Sequence, residues 1–478
     1  MGFVFYDTET TGTDTAFDQI LQFAAIHTDF QLNELDRFEI RCRLLPHIVP
    51  APGAMRVTKV PAARLFDTSL HSHYEMTCRI RDKFLSWSPA LFIGYNSLHF
   101  DEHLLRQAFY KSLHPPYLTN TNGNSRSDAL RIVQAASLFA PDALVFPTGD
   151  DGQLVFKLDR VAPLNGFAHD RAHDAIADVE ATIFVCRRLM EKAPDLWSAF
   201  MRFSQKAAVC DHVQAEPIFC LSDFYFGGPY SWVVTAIGCH PENSSEFYVY
   251  NLDIEPAGLA ELSDEDLVGR LAVSPKPVRR LRANACPIIM PVENAPAIAR
   301  AAQIGADELT RRAQYLSDNA AFRERLIGAF QSTREEPPPS PHLERQLYDG
   351  FFPKEDEALA LQFHAVPWEE RLAIIAAFKD RRLKKIGQRL IYLERPELMA
   401  ADERARYDRA IASRIARHDP DTPWLTLPQA VADLDDLLLD AGLEHVTFLE
   451  EHRVHLTQRA ARAALALNGN GAEADAPG

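Results

Sequence analysis

The sequence predicts an α/β domain that is followed by a small β domain and a helical domain. Three stretches with different residue patterns along the 478 residues indicate this division. The stretch 1–190 alternates short apolar runs with amphipathic segments, which is typical of an α/β domain. Short β-rich runs occupy 219–289, and a stretch rich in Ala, Leu, Arg and Glu follows the proline-rich segment 334–341.

The elements of the first domain can be placed in order. Apolar runs predict strands at 2–6, from Gln19 and from Leu91. Helical spacing of apolar residues predicts one helix from about His99 and a longer amphipathic helix from Ala172. Strands that alternate with helices in this way predict an α/β domain.

The domain boundaries follow from the same changes. We expect the α/β domain at 1–194, the β domain at 195–345 and the helical domain at 346–466. The last stretch, 467–478, offers nothing to bury, and we expect it to be a disordered tail.

Composition and charge exclude several classes of protein. The chain is 47% hydrophobic and 24% charged, which excludes wholesale disorder, a collagen-like chain and a disulfide scaffold. It carries 50 Lys and Arg against 66 Asp and Glu, a net charge of −16. This balance argues against a protein that coats nucleic acid by bulk electrostatics.

Cysteine usage and hydropathy indicate the compartment. The seven cysteines form no C-x-x-C pair, which suits inert thiols in a reducing compartment and argues against a sulfur-built metal cluster. The N-terminus opens into a strand-like run without a basic leader, and no stretch reaches the roughly 18 uninterrupted apolar residues of a membrane span. We therefore expect a cytoplasmic protein that does not enter the membrane.

The strongest chemical signal is the acidic end of the first predicted strand, D-T-E-T-T-G from Asp7 to Gly12. Side chains alternate along a strand, so Asp7 and Glu9 project from the same face. Two carboxylates so close repel each other unless they are protonated or bridged by a cation, and hard oxygen ligands favour Mg²⁺ or Mn²⁺. An ordinary polar turn at a strand end is the alternative.

Two further motifs follow in the first domain. Asp101 comes after the strand from Leu91 and begins a helix, so it is either a third carboxylate beside the strand ends or a helix cap. His173 precedes Asp178 by five residues, and the two side chains converge only if His173 lies before or at the first helical turn. A pre-helical histidine suits a proton carrier, whereas a capping Asp174 with a solvated histidine is the alternative.

Taken in order, these motifs resemble the DEDDh family of 3′-to-5′ exonucleases. Further motifs at matching intervals resemble the exonuclease I branch of that family, although exonuclease I often has aromatic residues flanking the first acids where this chain has threonines. The matching segments are Gln22–Ile26, Asp150–Gly152, Ser231–Val233, His240–Asn243, Cys286–Pro287 and Gln346–Phe352.

The resemblance implies a fold and an activity. The fold would be an RNase H-like (DEDDh exonuclease) α/β domain, a small SH3-like β domain and an α-helical C-terminal domain that together enclose a single-strand channel. The activity would be 3′-to-5′ degradation of single-stranded DNA to 5′-mononucleotides, in DNA repair or recombination.

The resemblance also implies roles for the five motif residues. Asp7 would bridge two Mg²⁺ or Mn²⁺ ions, Glu9 and Asp178 would complete one metal site, and Asp101 would support the second. His173 would be the general base for the attacking water, since an imidazole can accept a proton at neutral pH.

Cations and aromatic side chains are expected to bind the single strand of DNA. The resemblance places Glu9, Arg106, Tyr117 and Lys157 beside the strand. Lys384 and Lys385 belong to a cluster of cations at 379–395 that either contacts DNA or forms a solvated helix face. We expect Trp232 and Phe351 to be buried aromatic residues.

Two alternatives remain open at this stage. The acidic motifs do not distinguish deoxyribose from ribose, so a DEDDh exoribonuclease is the nearest alternative. A second alternative is an adaptor that binds the acidic, hydrophobic C-terminal tail of the single-strand-binding protein, a partner that the resemblance implies. We expect a monomer.

Overall fold

The computed structural model describes residues 2–168, 173–334, 338–439 and 442–468, apart from the side chains of Ala302, Leu443 and Glu444. Of the predicted tail, 469–478 lie outside the described residues. The strands of the described chain form two five-stranded sheets. The first sheet contains β1 (Phe3–Thr10), β2 (Ile20–Thr28), β3 (Glu34–Arg41), β4 (Leu91–Gly94) and β5 (Ser125–Asp128).

Helices follow and separate these strands. They are α1 (Pro52–Thr58), α2 (Ala62–Leu65), α3 (His73–Trp87), α4 (Asp101–Lys111), α5 (Ala129–Phe139), α6 (Leu158–Leu164), α7 (Ala175–Lys192), α8 (Pro194–Phe203) and α9 (Lys206–Ala215).

The first sheet is mixed and has helices on both faces. Its order is β3-β2-β1-β4-β5, with β1 antiparallel to β2 and parallel to β4. Alternation along β1 sends Phe3 and Phe5 into a core with α5 and α7, and Val4 and Tyr6 into a second core with α3 and α4. Burial on both faces explains why β1 begins with a continuous apolar run. The predicted α/β domain is confirmed.

The second sheet is antiparallel throughout, in the order β10-β6-β7-β8-β9. Its strands are β6 (Phe219–Tyr225), β7 (Gly228–Cys239), β8 (Glu246–Asn251), β9 (Val278–Arg282) and β10 (Ile288–Pro291). Helices pack against it through a core that includes Tyr248, Tyr250 and Leu326. These helices are α10 (Pro256–Ala260), α11 (Asp264–Ala272), α12 (Ala301–Ile304), α13 (Ala306–Asp318) and α14 (Ala320–Ser332).

The last part of the described chain is helical, as predicted. Leu343 and Phe363 pack with Tyr110 and Leu113 at the end of α4, which joins this part to the first sheet's helical layer. The helices are α15 (Lys354–Ala365), α16 (Trp368–Ala377), α17 (Arg381–Glu394), α18 (Ala401–Ile415), α19 (Leu427–Leu439) and α20 (Leu443–Asn468).

Several local expectations differ from the structure. The first strand extends to Thr10, beyond the apolar run at 2–6 that predicted it, and it includes Asp7 and Glu9 at its C-terminal end as expected. The sequence reading missed β3, a largely exposed strand, and β5, whose four residues are Ser, Arg, Ser and Asp. Hydropathy cannot signal such strands, because their pairing comes from neighbours that are distant in sequence.

Trp232 and Phe351, both predicted to be buried, have opposite environments. Trp232 is 8% exposed, so its predicted burial is confirmed. The prediction for Phe351 is wrong, because its side chain is 91% exposed. The preceding Gly350 has φ of +121°, which turns the chain just before Phe351.

Two further observations concern the cysteines and the helices. All seven cysteines are free thiols. No helix in the described part of the chain is long and apolar enough to cross a membrane.

Candidate active site

The candidate active site lies where β1 extends past the end of its parallel neighbour, β4. The β1–β4 ladder ends at the Phe5–Ile93 pair, whereas the β1–β2 ladder continues to Thr10. The part of β1 that carries Asp7 and Glu9 therefore extends beyond the end of β4. The helix α4 begins after β4 with Asp101 in its first turn, at the same edge of the sheet.

Three carboxylates converge at this edge. Ligand oxygens of Asp7, Glu9 and Asp178 all lie within 4.8 Å of one another. Asp178 reaches the cluster because α7 packs on β1 and β2 and carries this residue in its first turn. The N-terminal end of a helix favours negative charge, so α7 stabilises the cluster it contributes to.

Asp101 is the fourth acidic residue of this site. It is buried, and its Oδ1 accepts a 2.5 Å hydrogen bond from Thr8 Oγ1. Thr8 lies between Asp7 and Glu9 in β1, so this bond fixes α4 against the same strand that carries the other acids. Asp101 also raises the pKa of Asp7 by charge repulsion, which follows burial as a cause.

Burial and mutual repulsion make these carboxyl groups difficult to ionise. Burial raises the pKa of Asp7 well above its usual value, and Asp101, Glu9 and Asp178 raise it further. Burial first, and then Asp178 and Asp101, raise the pKa of Glu9 to about 9. Burial raises that of Asp101 to about 7, against the opposing hydrogen bond from Thr8. Such a cluster fits divalent cations, because their charge and preference for oxygen offset these costs.

The loop after β1 has a defined shape. Thr11 Oγ1 donates to Asp18 Oδ1 at 2.7 Å, and the Asp14 amide donates to Asp18 Oδ2 at 2.8 Å. A Cβ atom added to Gly12 would lie 2.5 Å from Asp18 Oδ2. A larger residue would push the Asp18 carboxylate away from these hydrogen bonds, so the final residue of the D-T-E-T-T-G motif has a steric role.

His173 lies just before α7, as convergence with Asp178 requires. The helix begins at Ala175, and His173 has φ of 66°, in the left-handed region that is strained for a non-glycine residue. Asp174 is the N-cap residue but makes no side-chain cap bond; its Oδ2 pairs with Arg41 at 3.1 Å. The capping alternative for Asp174 is therefore wrong. The preceding residues 169–172 lie outside the described part of the chain.

Arg106 and Tyr117 form a contact pair beside Asp101. The Arg106 guanidinium lies 5.1 Å from the centre of the Tyr117 ring, and Arg106 Nε pairs with Glu102 at 2.9 Å. Glu102 is buried and also binds Arg126 at 3.0 Å. The sequence reading missed Glu102 and Arg126. The i,i+4 spacing of Glu102 and Arg106 signals an ion pair, but it does not signal burial.

The exposed Phe351 is held near this pair. Tyr348, three residues before it, shares a 3.0 Å hydrogen bond with His103 and also interacts with Arg106 on α4. The adjacent Phe352 stacks with Tyr110 on the same helix. Phe351 is thus presented to solvent from a segment anchored to the helix that begins at Asp101.

The remaining residues predicted to contact DNA lie on other elements of the fold. Lys157 is exposed and forms the N-cap position of α6. Lys384 and Lys385 are half-buried in α17. Several cations of that cluster form ion pairs within the protein. The pairs are Lys379 with Glu355, Arg382 with Asp380, and Arg389 with Glu344.

Comparison with known proteins agrees with this architecture. A family model for exonuclease domains matches residues 4–186, and models for the SH3-like and C-terminal domains of exonuclease I match 204–332 and 341–457. The fold and the acidic edge thus define an exonuclease with the domain order of exonuclease I.

Curated relatives establish the family. Exodeoxyribonuclease I of Escherichia coli K12 is 29% identical over 400 residues, which cover 80% of this chain and 83% of the relative. The enzyme of Buchnera aphidicola subsp. Acyrthosiphon pisum is 30% identical over 301 residues, covering 61% of this chain and 72% of the relative. A crystal structure of E. coli exonuclease I with a dA16 oligonucleotide matches with a TM-score of 0.83 at 25% identity, over 96% of this chain and 99% of that one. The chain belongs to the exodeoxyribonuclease I family.

Proposed function

We propose that this protein is a 3′-to-5′ exonuclease that degrades single-stranded DNA to 5′-mononucleotides and serves DNA repair or recombination in the cytoplasm. The observation that carries the proposal is the convergence of the Asp7, Glu9 and Asp178 oxygens within 4.8 Å. Membership of the exodeoxyribonuclease I family supports single-stranded DNA as the substrate.

Two Mg²⁺ ions, or Mn²⁺ in their place, are the proposed cofactors. Asp7 would contact both ions, Glu9 and Asp178 would complete one site, and Asp101 would support the other. Bound there, the ions would polarise the scissile phosphate and stabilise the charge on the attacking and leaving oxygens. The raised pKa values of Glu9 and Asp101 support this assignment, because burial and then the neighbouring carboxylates disfavour their ionised forms and a bound cation would offset both effects.

His173 is the proposed general base. Its position before α7, outside the carboxylate cluster, leaves the imidazole available to take a proton from the attacking water. The acids cannot share this task, because metal-bound carboxylates are poor proton acceptors. The strained backbone at His173 supports a functional role, since such conformations cluster at active sites.

The strand would be held by cations and aromatic faces close to the acids. Arg106, oriented by Glu102 and by the Tyr117 ring, would bind a phosphate, and Tyr117 would contact the strand beside it. The exposed Phe351 offers a face on which a base can stack. Glu9 and Lys157 would contact the terminal nucleotide, and Lys384 and Lys385 would contact the strand from the helical domain.

Digestion of end-labelled oligonucleotides tests the proposal. We expect 5′-mononucleotides to be released from the 3′ end of single-stranded DNA, with little attack on duplex DNA and none in EDTA. RNA of the same sequence separates the exodeoxyribonuclease from the exoribonuclease alternative. Activity that persists in EDTA, or that starts at the 5′ end, would contradict the proposal.

A second binding function has its own supporting observation. A small cavity between the first and second domains is lined by apolar side chains, including Phe200, Ile288 and Met290, together with Arg131. Arg131 pairs with Asp223 at 2.6 Å, and an apolar cavity beside such a guanidinium suits a peptide that ends in an apolar residue and a carboxylate, which would compete with Asp223 for it. A solved structure of SSB and exonuclease I is among the structural neighbours.

We infer that the tail of the single-strand-binding protein binds in this cavity, to a monomer of this chain. Titration with the tail peptide, for the wild type and for Met290→Glu, tests this partner. Equal affinity of the two proteins would contradict the assignment. A variant in which Asp7 is replaced should still bind the tail. If that variant restored every cellular phenotype, the result would favour the adaptor alternative.

A further inference from the structure

The hairpin between β6 and β7 carries an unusual turn. The two residues between the strands are Phe226 and Gly227, with φ of 52° and 80°. Turns of this kind favour Asn-Gly, because both positions need positive φ and a large side chain is strained there. Phe226 is nevertheless the turn's first residue, and its side chain is 96% exposed. Neither folding preference nor core packing explains a phenylalanine at this position.

Aromatic rings continue from this turn along one face of the hairpin. Tyr225 and Tyr230 are both partly exposed, and their ring centres are 5.8 Å apart. Tyr230 stacks on the mostly buried Trp232 at 6.1 Å, and the Arg279 guanidinium lies 3.4 Å above the Trp232 ring. We call Tyr225, Phe226 and Tyr230 the hairpin aromatic surface; Trp232 and Arg279 support it from below.

The turn is anchored to the first domain. With its side-chain amide oriented to donate, Gln153 lies 3.2 Å from the carbonyl oxygens of both Phe226 and Gly227. On the opposite hairpin face, Phe224 packs edge-on against Phe156, with ring centres 5.3 Å apart. Gln153 and Phe156 belong to the segment that leads to Lys157.

That segment also connects to the active-site edge of the first sheet. Phe156 accepts a 2.5 Å hydrogen bond at its carbonyl from Tyr95, which directly follows β4. Lys157 itself caps α6 and is exposed. The hairpin aromatic surface is therefore held in a fixed position relative to the edge that carries the carboxylates.

We propose that the hairpin aromatic surface is a base-stacking site for the single-stranded DNA that leads into the active site, with Phe226 as its principal residue. The inference rests on the proposed function. Exposed aromatic faces bind bases of any sequence, and the exposed Lys157, which follows the Phe156 that packs on the hairpin, offers a cation for the phosphates between them. The Tyr225 hydroxyl donates to Asp223, whereas the Tyr230 hydroxyl and this cation suit a nucleic acid better than a wholly apolar partner.

The first experiment compares binding of wild type and Phe226→Ala to oligothymidylates of increasing length, from a trinucleotide upward, in EDTA. We expect equal affinity for the shortest oligomers, which fill only the active-site end, and about 5- to 100-fold weaker binding by Phe226→Ala once the strand reaches the hairpin. Leu35→Ala, at an exposed apolar residue on β3, is the control and should bind every length like the wild type.

Two further variants separate stacking from folding and from general hydrophobicity. Phe226→Asn gives the turn its preferred residue, so the melting temperature should be equal or higher while binding of long oligomers falls. Phe226→Leu keeps an apolar side chain without a ring and should bind as weakly as Phe226→Ala. Full binding by Phe226→Leu would show that the surface contacts an apolar partner instead.

Phe226→Trp provides a direct optical readout. Its additional fluorescence over the wild type should be quenched by long oligomers and unchanged by a trinucleotide. Equal affinity of wild type and Phe226→Ala for every length, without quenching in Phe226→Trp, would overturn the inference. Failure of the wild type itself to bind or degrade single-stranded DNA would instead refute the proposed function, so the two failures are distinguishable.

Discussion

Two sets of buried carboxylates in this protein have opposite electrostatic surroundings. Glu344, at the junction of the helical domain with the first domain, is 4% exposed and pairs with Arg389 at 3.0 Å and Arg414 at 3.4 Å. Although burial opposes ionisation, these two cations and Lys111 hold the pKa of Glu344 well below its usual range. At the acidic edge, Asp7 and Glu9 have other carboxylates as their main neighbours, and their pKa values are raised.

The same contrast occurs between adjacent residues of α4. Asp101 faces the acidic edge and has a raised pKa, whereas Glu102 pairs with Arg106 and Arg126. A buried acid with arginine partners joins parts of the fold. A buried acid among other acids is costly to the fold alone and indicates a site completed by a cation. Four experiments test this distinction.

The largest expected effect is on catalysis by Asp7→Asn. If Asp7 holds the metal ions as proposed, its loss should remove at least about 4 kcal/mol of transition-state stabilisation, or about 10³-fold in rate. Steady-state digestion of labelled single-stranded DNA in Mg²⁺ measures it. Asp195→Asn, at an exposed acid of α8, is the control and should keep full activity. Unchanged turnover in Asp7→Asn would remove the acidic edge from the catalytic account.

His173→Ala should lower the rate by about 10²- to 10⁴-fold, because the proton acceptor is lost while the carboxylates remain. Metal binding should be retained, unlike in Asp7→Asn, so calorimetric titration with Mn²⁺ separates the two variants. The pH–rate profile should also lose the limb due to the imidazole. A wild-type profile in His173→Ala would refute the role of general base. His418→Ala, at an exposed histidine of the helical domain, is the matched control.

Glu344→Gln should affect folding more than chemistry. Removing this charge leaves Arg389 and Arg414 without their shared partner at the domain junction. The expected loss of unfolding free energy is about 3 kcal/mol, at the low end for a buried ion pair because Arg389 is 27% exposed. Denaturant unfolding measures the loss. The control is Glu355→Gln, whose partner Lys379 is 68% exposed, so that solvent screens this ion pair and its removal should leave the stability nearly unchanged. Equal effects of the two variants would contradict the distinction between the sites.

The smallest expected effect is a difference in the pH dependence of stability. The raised pKa of Glu9 means that its protonated form is favoured in the folded protein. In metal-free protein its contribution is fully present below the ordinary pKa of 4.5 and is lost as pH rises towards about 9. The lowered pKa of Glu344 has the opposite effect: its contribution is lost as the pH falls below its ordinary value.

Melting curves over this pH range measure both effects. Mg²⁺ should raise the melting temperature by a few degrees or more, increasingly as pH rises from 5 to 9, since ionised carboxylates bind the ion and about 1 kcal/mol corresponds to roughly 2–4 °C in domains of this size. Asp7→Asn should be more stable than the wild type without metal and should lose most of the Mg²⁺ response. A pH-independent Mg²⁺ effect would contradict the electrostatic account.

The sequence was sufficient to predict the order of three domains and the identity of the acidic cluster. Apolar runs and helical spacing predicted β1, β2, β4, α4 and α7, because these elements bury a regular pattern of side chains. The spacing of Asp7 and Glu9 places both on one strand face whatever surrounds the strand. The position of His173 before a helix was likewise a matter of local pattern.

Other features depend on residues that meet only in the folded chain. The partners of Glu102 and Glu344 could not be read from spacing, since Arg126 and Arg389 come from separate elements. The exposure of Phe351 follows from the anchoring of Tyr348 and Phe352 on α4, and a sequence motif carries no information about that contact. The hairpin aromatic surface gains its position from Gln153, which lies in another domain.

The sequence alone therefore indicated which residues form the acidic cluster, because strand alternation and helical periodicity are local properties of the chain. Tertiary structure decided which charged groups are paired and which are left to a cation. The physical reason is that the energy of a buried charge depends on the groups packed around it, and these come from distant parts of the sequence. Asp101 and Glu102 are adjacent acids with opposite environments, and only the packing around α4 distinguishes them.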